Sequence, residues 1–377
     1  MTRQAARPRR ATPAIAASAA LAALVVLAAC GGDRVAAPLD EAAPTFDAAR
    51  VRSDVSALQG ALAAPVLESF VMLSGQFGLG AAPSAATAGA RELLSTAADP
   101  SAADARRVAA GLSASVLSAA GTAVLPPSAL GRTLVYDPAT HGYVVAPGRA
   151  GAPADGVRFV LYAVNPITHE PVTTAEIGYA DLIDRGPSTT SGISLRLLVV
   201  SGGTTYLDYA FAADGSDGSG TLSVEGFATD GTTRLNFEIG VQGRATATGG
   251  TLDVTFEFAV PARGFSASGH VQGASAAFGA EASAKVDLTV HTGDATIVYA
   301  VTSDSRTVDA RVLVNGRVFA TITGDPQHPE VRGAGGRALT AEEGEALRQL
   351  LGLADGVFKL LAQLTSPVAA LVGSRSE

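Results

Sequence analysis

The sequence predicts an α+β protein. Its expected form is a large antiparallel β-meander sheet, twisted or half-barrel-like, packed against N-terminal helices and a long C-terminal amphipathic helix. Three observations carry this reading. Apolar and polar residues alternate with a period of two across the middle of the chain, which is the pattern of strands with one packed and one wet face. Apolar residues recur at helical spacing on both sides of that stretch. Turn-forming pairs punctuate the alternating region: Gly202-Gly203, Asp230-Gly231, Gly249-Gly250, Gly293-Asp294 and Asn315-Gly316. Of the 377 residues, 47% are hydrophobic and 16% charged, so the chain has the material for a sizeable core and does not have a disordered composition.

The elements are taken in chain order. Arg3, Arg7, Arg9 and Arg10 form a basic segment, an Ala/Leu/Val-rich run extends from Ala14 to Leu27, and Leu27-Ala28-Ala29-Cys30 closes it. Residues 1–29 have the layout of a signal peptide, too short and alanine-rich for a transmembrane helix. The last four of these residues resemble the lipobox of bacterial lipoproteins, and Cys30 is the only cysteine. The resemblance implies a diacylglycerol on the Cys30 sulfur, cleavage between Ala29 and Cys30, and acylation of the new amino group. Acyl chains at about 0.8 kcal/mol per buried CH₂ suffice for stable anchoring when two or three are present. Gly31, in place of an Asp, resembles the pattern sorted to the outer membrane of diderm bacteria. Cleavage removes four arginines and no acids, taking the net charge from −8 to −12.

Residues 30–44, with Pro38 and Pro44, read as a flexible tether. A helical region spans 45–130. Val51, Val55, Leu58 and Leu62 share one helix face, capped by Asp47 or Thr45, and Pro65 opens a second helix carrying Leu67, Phe70, Val71 and Leu73. Asp99-Pro100 reads as an N-cap and first-turn proline for a third, with Val108, Leu112, Val116 and Leu117. An antiparallel β domain covers 131–325, with ten to fourteen strands ending near Thr323. Its clearest runs are Leu235 to Val241, Leu252 to Phe258 and Val286 to Val290. A C-terminal helix over 337–373 is expected to pack on the sheet through Leu347, Leu350, Leu351, Phe358 and Leu361, after a capping box at Thr340-Ala341-Glu342-Glu343.

The chain offers little recognisable catalytic chemistry. It has no Gly-x-Ser-x-Gly elbow, no phosphate-binding Gly-rich loop with Lys, and no His-Glu-x-x-His helix. The histidines are His141, His169, His270, His291 and His328, without ligand spacing. His141 and His169 end matching turns, Asp137-Pro138-Ala139-Thr140 and Asn165-Pro166-Ile167-Thr168, where a residue in the left-handed region is expected; exposed turn residues are preferred over a metal pair. His169-Glu170 point to opposite faces of a strand. Asp214 to Gly220, with Glu225 beyond, is spaced unlike a calcium loop and reads as a hairpin. Gly333 to Arg337 reads as a linker in preference to an anion site. Tyr209 and Phe211 share a face opposite Tyr206, which makes them packing residues and not a stacking platform. Small residues such as Ala210, Ala276 and Ala284 are expected to face the helical cover.

No metal or cofactor is expected, and the negative charge argues against nucleic acid as a partner. The expected partners are the membrane, through the lipid anchor, and an envelope protein. A transmembrane β-barrel would show the same alternation, but the chain has no Trp, few aromatic residues and a helical C-terminus. The reading is a lipid-anchored cell-envelope protein acting as a non-enzymatic structural or interaction module. A carrier of a hydrophobic ligand in a sheet–helix cavity is the alternative, and a hydrolase with dispersed catalytic residues is third. Replacing Cys30 by Ala should abolish metabolic fatty-acid labelling and leave the precursor uncleaved. Equal labelling of both chains would remove the membrane assignment.

Overall fold

A computed structural model of the chain describes residues 44–74, 125, 127–168, 170–186, 192–216, 219–246, 249–276, 282–304, 306–325 and 328–351. Two helices come first. Helix α1 (Ala48–Gly60) starts where Asp47 caps it, its Oδ1 accepting the Arg50 amide at 2.9 Å. Helix α2 (Pro65–Ser74) starts on its proline, which has no amide hydrogen to leave unsatisfied. Val51, Leu58, Val66, Leu67 and Phe70 are buried, whereas Val71 is 49% exposed and stands outside the expected stripe.

Fifteen strands then form one sheet. They are β1 (Arg132–Asp137), β2 (Gly142–Val145), β3 (Gly156–Val164), β4 (Pro171–Asp184) and β5 (Ile193–Ser201). Next come β6 (Thr204–Ser216), β7 (Ser219–Thr229), β8 (Arg234–Thr246), β9 (Gly249–Val260) and β10 (Phe265–Ala276). The last are β11 (Ala282–Thr292), β12 (Ala295–Ser303), β13 (Val308–Val314), β14 (Arg317–Asp325) and β15 (His328–Gly333). From β4 to β15 each strand pairs with its predecessor in an antiparallel meander, as the alternation requires.

The structure corrects the expected fold in four respects. The sheet is mixed, because β1 lies between β2 and β3 and pairs with β3 in parallel, Thr133 opposite Arg158. The chain leaves β2, crosses through 146–155 and returns to the other edge of β1. There are more strands than expected, and β15 lies beyond 325. Gly249 and Gly250 are paired within β9 and do not form the turn. Finally, the described chain is mostly β with few helices, so the helices are accessories to the sheet. The third expected helix and the chain beyond 351 lie outside the described residues.

One parity of residues makes the core. Leu235, Phe237, Ile239 and Val241 on β8, and Leu252, Val254, Phe256, Phe258 and Val260 on β9, are no more than 4% exposed. Glu225, Glu238, Gln242 and Glu257, of the opposite parity, are exposed. Apolar side chains therefore point into the protein and polar ones out, the reverse of a lipid-facing barrel. Ala210, expected to face the cover, belongs to the exposed parity. Helix α2 packs on β3–β6, and α1 reaches β11. A third helix, α3 (341–351), places Leu347 and Leu350 in the same core, and the Tyr299 hydroxyl of β12 donates to the Leu350 carbonyl.

A buried ion pair fixes α1. Asp54, 1% exposed, accepts Arg263 Nε at 2.7 Å and the Thr292 hydroxyl at 2.6 Å. Arg263 comes just after β9 and Thr292 ends β11, so one carboxylate ties the helix to two neighbouring hairpin ends. A buried charge is tolerated only when paired and hydrogen-bonded. Asp54→Ala should cost about 3 kcal/mol in chemical denaturation. Unchanged stability would mean that α1 is not anchored there.

Candidate functional site

Two groups of chemistry-bearing side chains stand on the polar face of the sheet. The first lies over β1, β3 and β4. Here Arg158 on β3 donates Nε and Nη2 to the two oxygens of Asp181 on β4, each at 2.7 Å, and its guanidinium carbon lies 3.6 Å from the centre of the Tyr179 ring. Antiparallel pairing sets Arg158 directly opposite Asp181. Asp181 is buried and Arg158 mostly so, and the paired carboxylate raises the Arg158 pKa.

Beside them Arg149, from the 146–155 crossover, clasps Glu176 of β4 with both terminal nitrogens, Nη1 to Oε1 at 2.7 Å. Those hydrogen bonds hold Glu176 below its ordinary carboxylate range, while burial and Glu176 push Tyr162 up. The crossover reaches this place because Gly148 and Gly151 adopt positive φ, and Gly151 passes so near Arg158 that a Cβ would lie 2.8 Å from Nη1. Arg149, Glu176 and Arg158 wall a pocket of about 370 Å³, lined also by Thr133, Val160, Ile177, Tyr179 and Gly202. Thr133 is 2% exposed, and its hydroxyl has no hydrogen-bond partner among the described residues.

The second region spans β7–β11. Glu225, Glu238 and Glu257 stand directly opposite one another on three adjacent strands. One row further, His270 Nε2 lies 2.7 Å from Asp253 Oδ2, and Lys285 pairs with Asp287 at 2.7 Å. A shallow depression of about 360 Å³ lies among Glu238, Glu257, Ser268, His270, Asp287 and Thr289. Among the described residues no three His, Cys, Asp or Glu side chains are placed to hold a metal ion. A histidine with a carboxylate can move a proton, but among the described residues no hydroxyl is hydrogen-bonded to His270 to serve as a nucleophile.

The residues singled out from sequence fall elsewhere. The lipid-attachment residue Cys30, the cleavage residue Ala29 and His169 lie outside the described residues. His141 has φ 48°, the expected left-handed turn, and its Nδ1 is 3.4 Å from the Tyr136 hydroxyl. The paired turns are Asx turns: Asp137 Oδ1 accepts the Ala139 amide and Asn165 Oδ1 accepts the Ile167 amide. Asp214 pairs opposite Thr221 within the β6–β7 ladder, so that segment is a hairpin. Tyr209 and Phe211 are buried in the core while Tyr206 is only partly covered. Reading the sequence misses both regions of the polar face. Arg158–Asp181 and Asp253–His270 are separated by 23 and 17 residues and meet only through register.

Compared with known proteins, the chain matches no family model, no curated protein and no solved structure.

Arg337 of the expected linker is held by Glu343, which also accepts the Thr340 amide at 2.9 Å while the Thr340 hydroxyl accepts the Glu343 amide at 3.2 Å. That is the capping box read from the sequence, with an added ion pair. The Arg337 hydrogen bonds, aided by Thr340, pull the Glu343 pKa down to about 2 from its usual 4.5. A carboxylate depressed by folding stabilises the fold above its unfolded pKa and loses that contribution as pH falls through the folded one. Hydrogen exchange of the first turn of α3 should therefore quicken as pH is lowered from about 4.5 toward 2, after correction for intrinsic rates. Glu343→Gln should flatten that dependence. An equally steep response in the variant would assign it to another group.

Proposed function

We propose that this chain is a lipid-anchored protein of the bacterial cell envelope that acts as a non-enzymatic interaction module. Its polar sheet face is the working surface, and its apolar face is the core. One observation carries the reading: the sidedness of the sheet. Long strands of 11 to 13 residues, from β6 to β10, commit their apolar parity to one core cluster and leave the opposite parity, with its ion pairs and depressions, facing water. Three little-exposed carboxylates, Asp54, Asp181 and Glu343, are held by guanidinium groups and serve the architecture. The lipobox resemblance supplies the anchor and the envelope address, with the outer membrane of a diderm bacterium the expected membrane.

A second reading, a carrier of a hydrophobic ligand, is favoured by the curvature of the sheet. Phe46, just before α1, meets Phe319 of β14 edge-on at 5.8 Å, while Val66 of α2 lies against Gly178 of β4. Those strands are ten steps apart in the sheet, about 48 Å if it were flat. Helix α1 has 13 residues and is about 20 Å long, and a turn at 61–62 interrupts the path from α1 to α2. Contact at both places supports a sheet curled toward a half-barrel, the shape that encloses ligands in carriers. The interaction reading ranks first because large side chains, among them Tyr209, Phe211, Phe258 and Phe265, fill the concave side at no more than 2% exposure.

Native mass spectrometry of the purified chain distinguishes the two. The expected spectrum shows no lipid beyond the covalent anchor. A stoichiometric lipid released only on unfolding would make the chain a carrier.

A further inference from the structure

We propose that the pocket walled by Arg149–Glu176 and Arg158 binds a neutral saccharide of disaccharide size. The inference names a partner for the interaction module and rests on that reading, although the pocket itself does not depend on the anchor. Three features of the pocket select the ligand.

The first is charge. Each guanidinium is already held by a carboxylate through two nitrogens, Arg149 by Glu176 and Arg158 by Asp181. A phosphate or carboxylate ligand would need a free guanidinium and would have to displace one of these partners. A cation would meet carboxylates already neutralised. The walls therefore suit an uncharged ligand.

The second is hydrogen-bonding pattern. Arginine has five N–H donors and uses two in each pair, and each carboxylate keeps lone pairs beyond the two engaged. Spare donors from Arg149 and spare acceptors from Glu176 stand side by side at the mouth, where both residues are about 40% exposed. Neighbouring hydroxyls that donate and accept at once are the ligand groups matching such alternation. Val160, Ile177 and Tyr179 add apolar surface for the carbon faces of a sugar ring.

The third is the rigidity of the walls. Arg158 is fixed by Asp181, by stacking on Tyr179 and by the close passage of Gly151. A site whose donors are already oriented loses little entropy on binding. The volume of about 370 Å³ falls within the range of small-molecule sites.

Isothermal titration calorimetry on the full chain in detergent tests the proposal, with maltose, cellobiose, N,N′-diacetylchitobiose and inorganic phosphate as probes. At least one disaccharide should bind and phosphate should not. Arg149→Ala, at the exposed mouth, should weaken that disaccharide about tenfold while the melting temperature barely moves. No heat from any disaccharide, binding of phosphate, or disaccharide binding that Arg149→Ala leaves unchanged would each overturn the assignment. Fatty-acid labelling of Cys30 reports on the anchored reading separately, so the two can fail independently.

Discussion

Register is the constraint on which the rest of this structure depends, because side chains in a strand alternate faces and each ladder hands that parity to the next strand. The row Tyr209, Gly226, Phe237, Phe258, Ala267, Val290, Ile297 and Val314 runs across eight strands by direct pairing, and every member is apolar or glycine. The row one residue over runs through Ala210, Glu225, Glu238, Glu257, Ser268 and Thr289. A slip of one residue anywhere would bring glutamates into the core and phenylalanines to water. Glycine is part of the same code. A Cβ on Gly226 would lie 2.5 Å from the Tyr209 Cβ, and one on Gly269 would overlap the Phe256 ring. These two positions give up their side chains so that an aromatic residue can lie across them.

A sheet built this way still has two edges. Strand β2 is four residues long, and Val144 and Val145 are partly exposed on it. Strand β15 carries Pro329, which cannot donate to a ladder, with Glu330 and Arg332 paired beside it. Shortness at one edge and proline with charge at the other are devices that discourage pairing with another chain. The parallel β1–β3 pair has a local cause as well. Gly148 and Gly151, both at positive φ, let the crossover double back closely enough to cover β3, which is buried on both faces.

How much of the fold is legible in the sequence depends on the range of the forces involved. The alternation of Leu235 to Val241, the cap on Asp47 and the box at Thr340-Glu343 are local, and each is found where spacing puts it. The parallel pair is not legible, because adjacent alternating runs look the same whether the chain turns back beside its last strand or crosses it. Gly249 and Gly250, expected as a turn, are paired in the β9 ladder, and glycine occurs inside strands as well as at turns. Ala210 departs from its expected face for a related reason: alanine fits either face, so only its neighbours Tyr209 and Phe211 reveal its parity. The polar-face pairs are invisible for want of register. Knowing that Arg158 stands opposite Asp181 requires knowing both bulges between β3 and β4.

The two regions of the polar face differ in how they treat charge. Over β3–β6, carboxylates meet arginines across strands, Arg158 with Asp181 and Arg196 with Asp208, and the surface is locally neutral. Over β7–β9, three glutamates stand in register with no cation paired to them among the described residues. Like charges in direct opposition are unfavourable, by tenths of a kcal/mol up to about 1 for each pair. Their exposure to water screens them, so the fold bears that cost without rearrangement. An acidic expanse disfavours the approach of anionic surfaces, while the neutral end carries no such barrier. A neutral polar ligand would therefore be admitted at the β1–β4 end, the region that also holds a pocket of suitable volume.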